Sequence, residues 1–482
     1  MNIGERELTL LCDFYEITMA RGYFHSKIKD QVAYFDVFFR RVPDGGGYAI
    51  FAGLEQIIEY IKSIKFTSED IEYLRSKKIF DEEFLSYLED FHFTGDIWSV
   101  EEGTVIFPNE PIMTVRAPAI EAQFIETFVL LTINHQCLIA TKASRIARSA
   151  NGRPVSEFGA RRAHGADASI YGARASYIGG CASTSCAIAD KLFGVRASGT
   201  MAHSWIQMFD TEYEAFEAYC KLYPNGPTLL VDTYDVIKSG IPNAIKAFKS
   251  CLNDEERKNC AIRIDSGDIT YLTKKVRKML DNAGLVDCKI VISNSLDEYI
   301  IRDILTQGAC VDAFGVGERL VTAKSEPVFG GVYKLCAVEK DGEIIPKIKI
   351  SENPIKITNP DFKELYRFYS KETGKAEADL ITLHDELIDE NKPYELFDPA
   401  HIWKRKTMEN YTLKRLRVKI FENGECVYTS PSVDKIRERC KEELATMWDE
   451  VLRFENPHNY YVDLSQRLWD EKNMLLSKKG SL

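Results

Sequence analysis

The chain has 482 residues, 45% of them apolar and 28% charged, with a formal net charge of −11. These proportions exclude a mostly disordered, collagen-like or coiled-coil chain and fit a globular protein of about three domains. The acidic balance gives no global attraction for nucleic acid or anionic membranes. An anionic ligand must be captured locally, by arginines, backbone N–H groups or a metal.

The N-terminal MNIGERELTLLCDFYE carries too many charges for a secretory signal. Helical spacing follows over Leu8 to Tyr23, then a strand at YFDVFF (34–39), a turn at Gly45-Gly46-Gly47 and a helix over Ala52 to Ile64. Phe66 to Phe91 has aromatics at helical spacing, and Gly95 to Val115 reads as strand–turn–strand. Residues 119–150 read as one or two long helices. Their longest uncharged apolar stretch, Thr127 to Thr141, falls short of the ~20 residues that a membrane span needs. The twelve cysteines form no C-x-x-C pair and no zinc-finger spacing, which reads as reduced, mostly buried thiols. The expectation is a cytoplasmic protein.

From about 154 to 335 the texture becomes strand, loop, helix. Apolar runs end near Glu157, Gly199, Asp232, Asp265, Ser293 and Gly315, about 22 to 42 residues apart, the length of one β/α unit. About six such units predict a parallel sheet, either a barrel or a doubly wound sheet. Beyond 340 the rhythm stops. IIPKIKIS, LKRLRVKIF and ECVYTS read as strands, and Val433 to Met474 as a terminal helical run.

In a β/α barrel the chemistry sits on the loops at the C-terminal strand ends. Here those loops are FGARR (158–162), SGTMAHS (198–204), DTYD (232–235), RIDSGD (263–268), SNS (293–295) and FGVGE (314–318). Arg161 and Arg162 are suited to bidentate phosphate or carboxylate binding, or to surface ion pairs. Asp265 and Asp268 fit either helix caps or Mg²⁺ with its phosphates. Gly315-Val316-Gly317 is either a tight turn or a set of backbone donors for phosphate. His203 sits among small polar residues just past a strand end, as a catalyst or a structural histidine. His164 is a weaker candidate.

Taken together, LLCDFYEITMARGYF, EFGARRAHGADAS, YIGGCASTSCAIAD, GTMAHSWIQMF, LLVDTYDVIKSGIPNA, IRIDSGD, VISNSLDE and FGVGERLVTAKSEPVFGGVYKL resemble the nicotinate phosphoribosyltransferases, in the family's order over more than 300 residues. The resemblance implies an α/β chain with an irregular β/α barrel at 119–340, an N-terminal α/β domain at 1–118 and a C-terminal α+β region at 341–482 packing against it. It implies a homodimer with shared active sites and a reaction joining nicotinate to 5-phosphoribosyl 1-diphosphate. The products are nicotinate mononucleotide and diphosphate, a step of NAD biosynthesis. ATP hydrolysis is coupled through a phosphohistidine, and Mg²⁺ is held mainly by substrate phosphates.

Residue by residue, the resemblance makes His203 the phosphorylated histidine and places Asp232 and Arg161 in the active site. Thr200, Arg263 and Tyr15 would contact nicotinate, Tyr15 from the neighbouring subunit. Ser204, Asp265 and Ser293 join them as substrate-binding residues, and Gly315 and Gly317 hold the ribose 5-phosphate. Many relatives have threonine after this Gly-x-Gly where the chain has Glu318, a carboxylate that would repel phosphate. The alternatives are a nicotinamide phosphoribosyltransferase, whose relatives carry an aspartate where this chain has Ser204, and a catalytically inactive homologue acting as a binding partner.

Overall fold

The computed structural model describes residues 6–479 and divides the chain into two compact units, Met1–Leu138 with Val328–Leu482, and Ile139–Pro327. In the first unit both ends of the chain build one antiparallel sheet. Its order is Glu343–Pro346, Gly331–Lys340, Val32–Phe39, Met113–Pro118, Asp96–Val100, Arg417–Glu422 and Glu425–Cys426. Pairing of the 331–340 strand with the 32–39 strand draws residues 328–340, expected in the barrel segment, into this unit. Residues 119–138 join it for a packing reason: Phe124 lies against Phe66 and Phe91, and Phe128 stacks on Tyr60 at 3.9 Å.

A second sheet of this unit pairs Tyr411–Arg415, Lys363–Ser370, Ala376–Leu383 and Val462–Leu464. Its long central hairpin has no counterpart in the sequence reading. The 462–464 strand also interrupts the expected terminal helix, which becomes Val433–Thr446 and Gln466–Lys479. Asn456-Pro457 falls between them, where proline disfavours helical backbone in the preceding residue. Of IIPKIKIS only the start, within Glu343–Pro346, is a strand. Arg367, fully buried, anchors the 363–370 strand by pairing with Asp379 and Glu443 and donating to the Val105 carbonyl at 2.8 Å.

The second unit holds a six-stranded, all-parallel sheet. Its order is Ser183–Thr184, Val155–Glu157, Ala313–Val316, Lys289–Ile292, Ala261–Ile264 and Thr228–Leu230. Helices Ala166–Ile178, Ile241–Cys251, Ile269–Asn282 and Glu298–Thr306 alternate with these strands. The two outermost strands are not hydrogen-bonded to each other among the described residues. The strand expected to end near Gly199 is a single parallel bridge, Ala197 to Thr184, because Ala197-Ser198-Gly199 offers no branched or aromatic side chains to pack. The pairing falls instead to Ser183–Thr184, which the sequence reading passes over.

The helical stretch Ala119–Ser149 is, at 31 residues, long and apolar enough to cross a membrane by length and composition, contrary to the count over Thr127 to Thr141. Its apolar window is 67% buried, as in the core helix of a globular protein. None of the twelve cysteines is in a disulfide among the described residues, and most are buried.

Candidate active site

Each strand of the parallel sheet ends where its side chains leave the core, and the loops beyond converge. Arg263 projects from the 261–264 strand and is mostly buried. Its Nε donates to Ser293 Oγ at 2.9 Å and its Nη1 to Thr200 Oγ1 at 3.0 Å, while Nη2 lies 3.3 Å from Asp265 Oδ1. The guanidinium also covers the Phe158 ring at 5.5 Å. A planar cation fixed on three sides has little freedom left, so any carboxylate it meets is met in a set orientation.

Ser293 in turn donates to Asp265 Oδ1, so serine, arginine and aspartate close a ring of contacts. Asp232 joins through its Oδ2, which accepts the Asp265 backbone N–H at 3.0 Å and the Ser266 hydroxyl at 2.6 Å. Its Oδ1 is buried without a hydrogen-bond partner among the described residues. A buried, unpaired carboxylate oxygen is costly and marks a position where a donor or a cation is expected. Beyond Ser293 the chain turns through Asn294 at φ 91° and Ser295 at φ 48°. Left-handed backbone is disfavoured for side-chain-bearing residues, and here it follows directly on a site residue.

His203 opens the short helix His203–Gln207, and its Nδ1 lies 3.0 Å from Thr233 Oγ1, the residue after Asp232. With the proton on Nδ1, donated to threonine, Nε2 keeps a free lone pair. Six of the expected residues, Thr200, His203, Asp232, Arg263, Asp265 and Ser293, are therefore tied together directly or through Thr233. Thr233, Ser266 and Phe158 complete the set and were missed. Thr233 and Ser266 adjoin expected aspartates, a position that could have flagged them; for Phe158 the signal was its place in the FGARR loop.

The remaining expectations are placed differently. Arg161 lies exposed on the turn Ala160–Arg162, immediately after the 155–157 strand. Ser204 is exposed, one residue past His203. Asp268 is a cap: its carboxylate accepts the Tyr271 N–H at 2.8 Å. Gly315 and Gly317 both have negative φ, so no left-handed turn explains them. Phe158 does. A Cβ on Gly315 would lie 2.5 Å from the Phe158 ring, and one on Gly317 3.0 Å from the Phe158 carbonyl oxygen. Glu318 points its charge at Lys324, with Nζ 2.7 Å from Oε1, and that pairing holds its carboxyl below the usual range. The repulsion expected beside this loop is offset locally.

Glu157, buried at its strand end, accepts the Thr184 hydroxyl at 2.6 Å and the Gly159 N–H; burial pushes its carboxyl up. Ser183 lies 2.8 Å from Ser156 Oγ and 2.7 Å from Ser198 Oγ, linking the 195–199 segment to two strand ends.

Tyr15 belongs to the first compact unit, on the helix Phe14–Phe24. It is 43% exposed and donates to Glu126 Oε2 at 3.1 Å. Beside it Glu16 is fully buried and accepts the Thr127 N–H at 3.1 Å and hydroxyl at 2.6 Å. Burial pushes the Glu16 carboxyl up to about 8, with the charge of Glu126 adding to the shift and the Thr127 hydrogen bonds opposing it. The folded chain thus holds a proton that the unfolded chain releases near the ordinary glutamate value of 4.5. Its contribution to stability is full below that value and is lost as the pH rises through about 8. Denaturation midpoints measured from pH about 5 to about 9 should fall with pH in the parent and be flatter in Glu16→Gln.

Three family models match the chain. The nicotinate phosphoribosyltransferase N-terminal domain matches residues 10–134, the nicotinate phosphoribosyltransferase family model 154–372 and the C-terminal domain 362–472. The Bacillus subtilis nicotinate phosphoribosyltransferase is 44% identical over 96% of this chain and 94% of its own length. The chain belongs to the nicotinate phosphoribosyltransferase family. The Caenorhabditis elegans family member is 34% identical over 95% of this chain and 92% of its own. The crystal structure of human nicotinic acid phosphoribosyltransferase superposes with a TM-score of 0.84 at 26% identity, covering 97% of this chain and all of that one. The mixed α/β fold is therefore the family's fold.

Proposed function

We propose that this family member is an enzyme that transfers the 5-phosphoribosyl group from 5-phosphoribosyl 1-diphosphate to nicotinate, in NAD salvage in the cytoplasm. The observation that carries the reading is the fixed Arg263 guanidinium, held by Thr200, Ser293 and Asp265 next to Asp232. An arginine so placed suits the nicotinate carboxylate, and a ring stacked on Tyr15 of a second subunit would present its nitrogen in line. That nitrogen's lone pair forms the bond to C1 of the ribose as the C1–O bond breaks, and the electron pair departs with diphosphate. Positive charge develops on the ribose in the transition state, as in glycoside cleavage.

Mg²⁺ would neutralise the leaving diphosphate. The unpartnered Asp232 Oδ1 and the nearby Asp265 carboxylate fit a hard cation or its bound waters. Among the described residues the closely grouped metal-ligand set is elsewhere, at His25, Asp81 and Glu83, where Arg21 already donates to Asp81 at 2.9 Å. Backbone donors of the 315–317 loop and the exposed Arg161 would receive the ribose 5-phosphate. The family's irregular barrel would close around the parallel sheet, with two chains forming a dimer.

Ser204 adds to the carboxylate preference that Arg263 supplies, because it stands next to His203 in the chain where nicotinamide-using relatives carry a carboxylate. The test is a single assay of purified protein with 5-phosphoribosyl 1-diphosphate, Mg²⁺ and equal nicotinate and nicotinamide, with and without ATP. Nicotinate mononucleotide should form in preference and faster with ATP. Preferential use of the amide, or no nucleotide product, overturns the reading.

A further inference from the structure

A cavity of about 460 Å³ lies within the first compact unit, and none of the candidate site residues described above lines it. Its walls come from the 32–39 strand and the residue after it, the 354–359 segment and the last helix, Gln466–Lys479. Three cations line it, Arg40, Lys363 and Lys472. Arg40 Nε donates to the Ile355 carbonyl at 3.1 Å, and Lys472 Nζ to Asn359 Oδ1 at 2.8 Å. Both partners are neutral. Among the described residues neither Arg40 nor Lys472 has a carboxylate within ion-pair distance, whereas Lys363, Arg367, Arg417 and Arg467 of the same unit do.

The other charges on the wall cancel. Lys363 Nζ lies 2.7 Å from Asp36 Oδ2 and donates to the Asn359 and Pro360 carbonyls. The cavity therefore presents two uncompensated positive charges. Burial, with the charge of Lys363 adding, holds the Lys472 ammonium below the usual lysine range, a cost that a bound anion would relieve. The rest of the lining is largely apolar, from Phe38, Ile357, Trp469 and Leu476. The Trp469 N–H is committed to the Pro399 carbonyl, so its indole offers the cavity a hydrophobic surface.

We propose that this cavity is a second ligand site, which takes a phosphate monoester on an aromatic body of mononucleotide size, with Arg40 and Lys472 holding the phosphate. Two cations match a dianion, and the charge-assisted hydrogen bonds they offer are the strong kind. The apolar walls and the volume select against bare phosphate, because they add affinity only to a ligand with a body to bury.

The test is isothermal titration of the full chain with adenosine 5′-monophosphate, and separately with adenosine and with inorganic phosphate. Saturable nucleotide binding is expected, weakened about tenfold in Arg40→Gln and in Lys472→Met and retained in Lys472→Arg. Adenosine and phosphate alone should bind more weakly than the nucleotide. Binding should persist in Arg263→Ala, whose change lies in the other compact unit. Turnover of nicotinate should be unaltered in Arg40→Gln without nucleotide, which separates failure here from failure of the transferase reading. The proposal is overturned by absence of saturable binding, by binding that survives both cavity variants, by loss of binding in Arg263→Ala, or by phosphate binding as tightly as the nucleotide.

Discussion

His203→Ala is expected to abolish the stimulation of nicotinate mononucleotide formation by ATP while leaving a slower, ATP-independent transfer. The imidazole is held through Nδ1 by Thr233, and Nε2 has no hydrogen-bond partner among the described residues. In the proposed cycle Nε2 attacks the γ-phosphorus of ATP, the bond to ADP breaks, and water later releases phosphate. The phosphorylated ring carries about two negative charges beside the loop that holds Thr200. That charge would favour an arrangement of the loop that binds the phosphoribosyl donor more tightly, so ATP shifts a population rather than altering the transfer chemistry. Incubation with γ-labelled ATP should give an acid-labile, base-stable label on the parent and none on His203→Ala. Surviving ATP stimulation in the variant, or a label that remains, removes His203 from this role. Thr233→Val offers a graded control, since it keeps the histidine and removes its Nδ1 partner.

Arg263→Ala should lower kcat/KM for nicotinate by about a hundredfold or more, with KM for nicotinate rising more than KM for the phosphoribosyl donor. Two losses add. The nicotinate carboxylate loses its cation, and Asp265, Ser293 and Thr200 lose the group that holds them in register. Arg263→Lys keeps the charge but cannot reach both hydroxyls and the carboxylate at once, so it should recover only part of the activity. The selectivity readout is decisive. If the guanidinium reads the substrate carboxylate, preference for nicotinate over nicotinamide should shrink in both variants. An equal fall for both substrates would assign Arg263 a purely structural role.

Much of the site was legible because its residues sit at strand ends, where a hydrophobic run stops and small or charged residues begin. Asp232, Asp265 and Ser293 were visible in that way, Arg263 came from the family resemblance alone, and the structure brings the four together. The glycines of the 314–318 loop were visible too, but the reason for them was not. It is the approach of Phe158, which follows the adjacent, parallel 155–157 strand, and nothing in the local sequence states which strand will be the neighbour. The same blindness hid Ser183–Thr184 as a strand. Two residues without a strong β pattern pair because Ser156 and Glu157 already lie in place beside them.

The sequence by itself determined the β/α rhythm of 154–335, the family and the candidate residues, because periodicity and ordered motifs are properties of the chain read along its length. Tertiary structure decided which segments share a body. Residues 331–340 belong with the first unit because their backbone donors and acceptors are met by the 32–39 strand, some 300 residues away. It also decided that Glu318 is paired with Lys324, that Asp232 keeps one carboxylate oxygen unpartnered, and that Arg40 and Lys472 line one cavity. Pairing, burial and shared cavities depend on distances between residues remote in sequence, and those are fixed only once the chain has packed.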